Sequence, residues 1–141
     1  MLLGVDLVKD PAILNAAYDD AEGVTAAFNL NLLTRINREL GANFNLDNFE
    51  HHAFFNRHLK RIEMHLASLK RQKVRVDGET IDFRAGETIH TENSYKYSIE
   101  SLRVLARGAD WHPVTVWTDE NALFAVHLLR FERSIKATTT E

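Results

Sequence analysis

The spacing of apolar positions changes several times along the chain, and each change marks an element. Residues 2–8 form a short apolar run closing on polar residues, which predicts a strand buried on both faces. Asp10-Pro11 then signals a helix start: the Asp side chain accepts from free amides, and Pro fits the first helical position. That helix is expected to run to about Ala21, with Gly23 breaking the pattern. Val24, Phe28, Leu32, Leu33, Ile36 and Leu40 recur at three-to-four spacing, predicting a second helix that Gly41 closes. Over residues 42–59 no period holds; Phe44, Phe49, Phe54 and Phe55 are scattered, and Asp47 is a candidate cap for one short turn.

Alternation returns from Arg61 to Lys70. Ile62, Met64 and Leu66 share one face and Arg61, Glu63 and His65 the other, as in a strand. Lys73 to Phe83 predicts a hairpin, with Asp77-Gly78 supplying positive φ at its turn. Ala85-Gly86 turns the chain into a polar stretch, Thr88 to Tyr97. Ser98 suits the cap of a third helix, with Leu102, Leu105 and Ala106 inward and Gly108 past its end. Two strands follow, Pro113 to Thr118 and about Leu123 to Phe131, joined by Asp119-Glu120-Asn121. The Thr-rich segment from Glu132 is expected to fray. The order is that of an α/β protein with an inserted β-containing module.

Composition narrows the function classes. The 141 residues are 45% hydrophobic and 26% charged, a soluble globular balance with enough chain for a core. Seventeen Lys plus Arg against 20 Asp plus Glu leave a charge of −3, which gives no drive towards nucleic acid or an anionic membrane. The absence of cysteine removes disulfides, thiolate metal sites and thiol nucleophiles, and is compatible with a cytoplasmic protein. No apolar run reaches the roughly 18–20 residues that span a bilayer. The apolar N-terminus carries no preceding basic region, so it is not a signal peptide. A chain that opens in mid-strand is expected to be cut from something longer.

Seven histidines raise the question of a metal. His90-Thr91-Glu92 is the best candidate, since positions i and i+2 share a strand face, but surface or hydrogen-bonded histidines explain the pattern better and no metal is expected. No Gly-x-Gly-x-x-Gly loop and no Gly-x-Ser-x-Gly elbow occurs. The densest polar cluster is Thr88 to Tyr97. A carboxylate and a hydroxyl two residues apart point to one side of an extended segment and can satisfy both nitrogens of an imidazole. A polar loop leading into a helix would have the same composition.

Three stretches carry more. LLGVDLVKDPAILNAAYDDAEGVTAAFNLNLLTRINRELGANF, FFNRHLKRIEMHL and FRAGETIHTENSYKYS resemble the histidine-specific, S-adenosylmethionine-dependent methyltransferases that begin ergothioneine biosynthesis, over about Leu2 to Leu129. GVDLVKD, AFNLNLL and GETIHTENSYKY are long, unusual strings. The resemblance implies a chain that trimethylates the α-amino group of histidine to hercynine. It also implies the C-terminal part of a Rossmann-like methyltransferase sheet with an inserted α+β substrate-binding module. On that pattern residues 1–8 are a late strand of the sheet, 9–97 the substrate module, 98–131 the returning helix and strand pair, and 132–141 a flexible tail. Glu92 and Ser94 in HTENSYKY match positions that bind the imidazole, Tyr18 in AAYDD one at the amino-acid end, and Met64 in RIEMHL one lining the imidazole pocket. S-adenosylmethionine would be held by an N-terminal half that this sequence does not contain, so this chain alone is expected to bind no donor and to be inactive. The rival expectations are a stand-alone, non-catalytic module that binds histidine or a similar amino acid, and a catalytic partner completed by a separate chain. A sheet deprived of neighbours is further expected to leave Met1–Leu7 and Pro113–Thr118 unpaired and to drive a homodimer.

Overall fold

A computed structural model describes residues 1–132. Along the chain run β1 (Leu2–Asp6), α1 (Pro11–Tyr18), α2 (Val24–Leu40), a short 3-10 turn (Leu46–Asn48), β2 (Phe49–Asn56), β3 (Arg61–Ser68), β4 (Gln72–Val76), β5 (Glu79–Phe83), β6 (Thr88–Tyr95), α3 (Ile99–Gly108), β7 (Trp111–Thr118) and β8 (Phe124–Phe131). They fall into two compact units: Met1–Lys9 with the chain from Tyr95 onward, and Asp10–Ser94.

The first unit is a sheet of order β1-β8-β7 with α3. Both pairings are antiparallel, with Leu2 opposite Leu128 and Thr118 opposite Ala125. They do not by themselves display the parallel order of a Rossmann sheet. The register shifts between Pro113 and Thr115, where Pro has no N–H to give the ladder. Val5, Leu7, Leu102 and Ala125 form its core, with Tyr97, Ile99 and Val116 packed against it. Ser98 and Ser101 form a reciprocal capping box at the start of α3. Asp6 sits between two lysines, 2.5 Å from Lys9 Nζ and 2.8 Å from the buried Lys96 Nζ. Burial works against its ionised form, but the two lysines more than offset this and hold its carboxyl below the usual range.

Several expectations change in this unit. β1 is not buried on both faces: Leu2 is 67% exposed, while Val5 and Leu7 point into the core. An apolar run this short cannot tell one buried face from two. β1 and β7 each pair with β8 on one side and form the two edges of this sheet. Leu105, expected inward, is 58% exposed; only Leu102 and Ala106 are buried on α3. Gly108 is the last helical residue, and the left-handed conformation beyond the helix falls to Asp110, at φ 61°. Most of the expected tail, from residue 133, lies outside the described residues.

The Asp10–Ser94 unit carries a sheet of order β2-β3-β6, the β4–β5 hairpin and the helices α1 and α2. Asp10 accepts from Ala12 N at 2.8 Å with Pro11 behind it, so α1 starts as expected. It stops at Tyr18, earlier than Ala21, because the chain is recruited for the next helix. Asp20 accepts from the amides of Val24 and Thr25 at 2.8 and 2.9 Å. A hydrogen bond from the Thr25 side chain, followed by those from the two amides, lowers its carboxyl to about 2. Gly41 adopts φ 60° at the end of α2, and Asp77 and Gly78, at 48° and 83°, make the tight hairpin turn.

Leu33, Phe44, Phe49, Leu66, Val74 and Phe83 form the larger core. The three Phe rings meet edge-to-face or tilted, with centroids 5.5–6.2 Å apart. Burying each such ring contributes about 2–3 kcal/mol. Leu14, Ala53, Ile62 and Met64 form a second cluster, with Tyr18 and Phe55 packed on it. The apolar stripe expected on α2 is displaced: Phe28 is 67% exposed, and the buried positions are Leu33 and Asn29. Asn45, not Asp47, caps the short turn, accepting from Asp47 N at 3.1 Å. Strand β2 is new. Its inner positions are Phe49, His51, Ala53 and Phe55, and a histidine among them hides the period.

Candidate functional site

Strand β6 brings the polar cluster into the Asp10–Ser94 unit. Ser94 Oγ lies 2.7 Å from the hydroxyl of Tyr18, the last residue of α1 and 76 positions away in sequence. Met64 lies buried in the cluster against which the Tyr18 ring packs. Its carbonyl accepts from Thr91 Oγ1 at 3.0 Å, tying β3 to β6. Thus Tyr18, Met64 and Ser94 converge. Glu92 is exposed on the same strand and lines a recess of about 170 Å³ with Phe28, Asn29 and Arg35 of α2 and with Thr91. An anionic acceptor therefore stands at the mouth of a recess whose rim also carries a cation and an amide.

Three residues not singled out in the sequence, Asn29, His51 and Asn15, add to this geometry. Asn29 is 3% exposed in the middle of α2. Its Nδ2 donates to His51 Nδ1 at 3.0 Å and to the His65 carbonyl at 3.1 Å. His51 Nε2 in turn donates to the Tyr18 carbonyl at 2.8 Å. Asn15 anchors α1 a second time, accepting from Phe55 N at 2.8 Å. A polar residue inside an otherwise amphipathic helix, facing a histidine inside an otherwise apolar strand, was the available signal.

The outer face of the same sheet holds a different group. His52 pairs directly with His65 across β2 and β3. His65 stacks on Phe54 at 5.6 Å and on His90 at 4.4 Å. The carboxylate of Glu63 and the ring nitrogens of His65 and His90 all lie within 4.8 Å of one another. His90 therefore groups with these residues, while its Nε2 donates to the backbone carbonyl of Glu92 at 3.2 Å. Two imidazoles and a carboxylate are a donor set that divalent transition metals accept. Here the rings stack with planes 19° apart, so their lone pairs run in near-parallel planes. Glu63 Oε1 is already held by Arg61 and Asn56 at 2.8 and 3.0 Å. The Arg61 hydrogen bond leads in holding its carboxyl low. Glu63 Oε2 faces His65 Nε2 at 3.5 Å, and a metal would have to enter between them and turn a ring. Burial pushes the His65 imidazolium pKa down, against the pull of Glu63.

Comparison with known proteins adds the family. The model for histidine-specific, SAM-dependent methyltransferases matches residues 1–131. The chain belongs to this family. The histidine N-alpha-methyltransferases of Mycobacterium tuberculosis and Mycolicibacterium smegmatis are each 48% identical to it, over 130 and 131 residues. Each alignment covers 91% of this chain and 40% of the relative. Ergothioneine biosynthesis protein 1 of Neurospora crassa is 30% identical over 147 residues, covering 94% of this chain and 15% of that protein. The chain thus spans less than half the length of the methyltransferases it matches. The six glycines stand apart from one another in the sequence, and four of them have positive φ at turns and helix ends. None forms a glycine-rich loop between a strand and a helix. No helix among the described residues is long and apolar enough to cross a membrane.

Proposed function

We propose that this chain is the substrate-recognising part of a SAM-dependent histidine N-alpha-methyltransferase of ergothioneine biosynthesis. In this reading the Asp10–Ser94 unit is the histidine module, and the β1-β8-β7 unit belongs to the sheet of the donor-binding domain. The observation that carries it is the hydrogen bond between Tyr18 and Ser94 over Met64. Three residues that the family pattern assigns to the substrate, far apart in sequence, meet in one place, with Glu92 two residues along the strand.

Each residue has a chemical task. Glu92 accepts from an imidazole N–H, the stronger kind of hydrogen bond because the acceptor is charged. Ser94 serves the other ring nitrogen as donor or acceptor. Met64 provides an adaptable apolar wall. Tyr18 reaches the amino-acid end, and for this its hydroxyl must leave Ser94, since the two ends of histidine are much farther apart than one hydrogen bond. N-methylation requires the α-amine unprotonated and fixed in one orientation, which makes positioning the task of this part. Holding S-adenosylmethionine falls to residues outside this chain, so the chain alone takes histidine without the donor.

Calorimetric titration with histidine and with S-adenosylhomocysteine tests this. Histidine uptake without S-adenosylhomocysteine uptake is the expected result, and Glu92→Ala should weaken histidine binding by roughly 1.5–3 kcal/mol. Unchanged affinity in that variant removes Glu92 from the site. Tight S-adenosylhomocysteine binding by this chain contradicts the assignment of the donor elsewhere.

A further inference from the structure

The buried pair Asn29–His51 offers a role that the substrate residues do not explain. Tyr18 ends α1, so its carbonyl is one of those a helix leaves without an internal partner. No basic side chain occupies the last turn of α1 to serve it. His51, reaching in from β2, does so instead. A carbonyl only accepts, so Nε2 must carry the proton. Nδ1 must then be bare to accept from Asn29, and the neutral Nε2–H tautomer follows from its two neighbours. Asn29 cannot turn its amide over without setting its oxygen against the His65 carbonyl, to which Nδ2 also donates. The three groups therefore permit one arrangement only. Asn29 also borders the Glu92 recess, so one side chain touches both parts of the candidate site.

We infer that Asn29 and His51 are positioning residues for Tyr18. They fix its backbone while its side chain alone swings from Ser94 towards the bound amino acid. The inference rests on the histidine-binding reading for the ligand, but not for the fixing of Tyr18 itself. A pinned backbone limits the motion to the side-chain torsions. Less conformational freedom is then lost when the ligand is captured.

The test is a double-variant cycle on the 141-residue chain. His51→Phe keeps a planar ring and loses both bonds, and should lower histidine affinity about tenfold. In a Tyr18→Phe background the same change should lower it by less than about twofold, because the group being positioned is already disabled. His51→Gln, which retains a donor and an acceptor on one planar group, should recover affinity to within about threefold of the unsubstituted chain. In His51→Phe the NMR resonances of the Tyr18 ring should shift while the methyls of Leu33 and Ile62 stay in place. Equal losses in both backgrounds, or unmoved Tyr18 ring resonances, overturn the inference. If the unsubstituted chain takes up no histidine, the ligand reading fails by itself and the Tyr18 ring resonances still decide the positioning role. If His51→Phe does not fold, long-range ¹H–¹⁵N correlation on the unsubstituted chain decides: the Nε2–H tautomer at His51 supports the inference and Nδ1–H overturns it.

Discussion

His51 and His127 occupy two regions of the molecule that treat a histidine in opposite ways. Both ring nitrogens of His51 are bonded, one to Asn29 and the other to the Tyr18 carbonyl. His127, on β8 of the other unit, is wholly buried, and neither ring nitrogen has a hydrogen-bond partner among the described residues. Arg103 lies close enough to oppose a positive ring: burial first, and then that guanidinium, push its pKa down. His65 lies between the two: its ring nitrogens are buried and burial lowers its pKa, while Glu63 Oε2, 3.5 Å from Nε2, pulls the other way. A buried imidazole with two directional partners specifies a geometry. One without them acts as a flat, neutral packing group, and its main physical consequence is sensitivity to acid.

The sharpest way to break the comparison is to empty the bonded side. Asn29→Leu leaves His51 Nδ1 and the His65 carbonyl without their donor in a buried place. It should cost roughly 2–4 kcal/mol of stability, read as a shift in the urea midpoint. A loss below about 0.5 kcal/mol would mean that the network specifies nothing.

Acid titration examines the other side. The unfolded chain takes up a proton at His65 and His127 near the ordinary value of about 6.5, and the folded chain only at lower pH. Between those values the unfolded state binds more protons. Stability is therefore full above about pH 6.5 and falls as pH drops through the folded values. Asp6 and Glu63, whose carboxyls are held low, add a second loss at more acid pH, as their favourable partners stop facing a charge. Circular dichroism melts across the acid range should show this decline in two stages. Melting temperatures independent of pH from 7 down to about 4 would contradict both assignments.

The smallest effect should come from removing the orphaned ring. His127→Phe should change stability at neutral pH by no more than about 1 kcal/mol, in either direction, because no protein hydrogen bond is lost. It should also move the acid midpoint to lower pH. A large loss at neutral pH would show that His127 has a partner worth as much as those of His51.

Much of this was legible along the chain. Capping at Asp10-Pro11 and Ser98, the Asp77-Gly78 turn, the α2 boundary at Gly41 and the alternation of Ile62, Met64 and Leu66 are set by local steric and hydrogen-bonding rules, so sequence suffices for them. Tyr18, Met64, Glu92 and Ser94 stood out through strings that resemble the family's, and Tyr18, Met64 and Ser94 lie together in the structure. What the sequence could not carry is which side of each element faces inward. Phe28 and Leu105 satisfy the helical period yet lie exposed, while Asn29 is buried, because the tertiary neighbours of α2 and α3 decide which stripe is covered. β2 escaped notice because His51 occupies an inner position that only a partner on another helix makes tolerable. Local spacing determined the elements. The pairing of Asn29, His51 and Tyr18, drawn from α2, β2 and α1, was decided only in three dimensions, where the burial of a polar group requires every one of its partners to arrive at once.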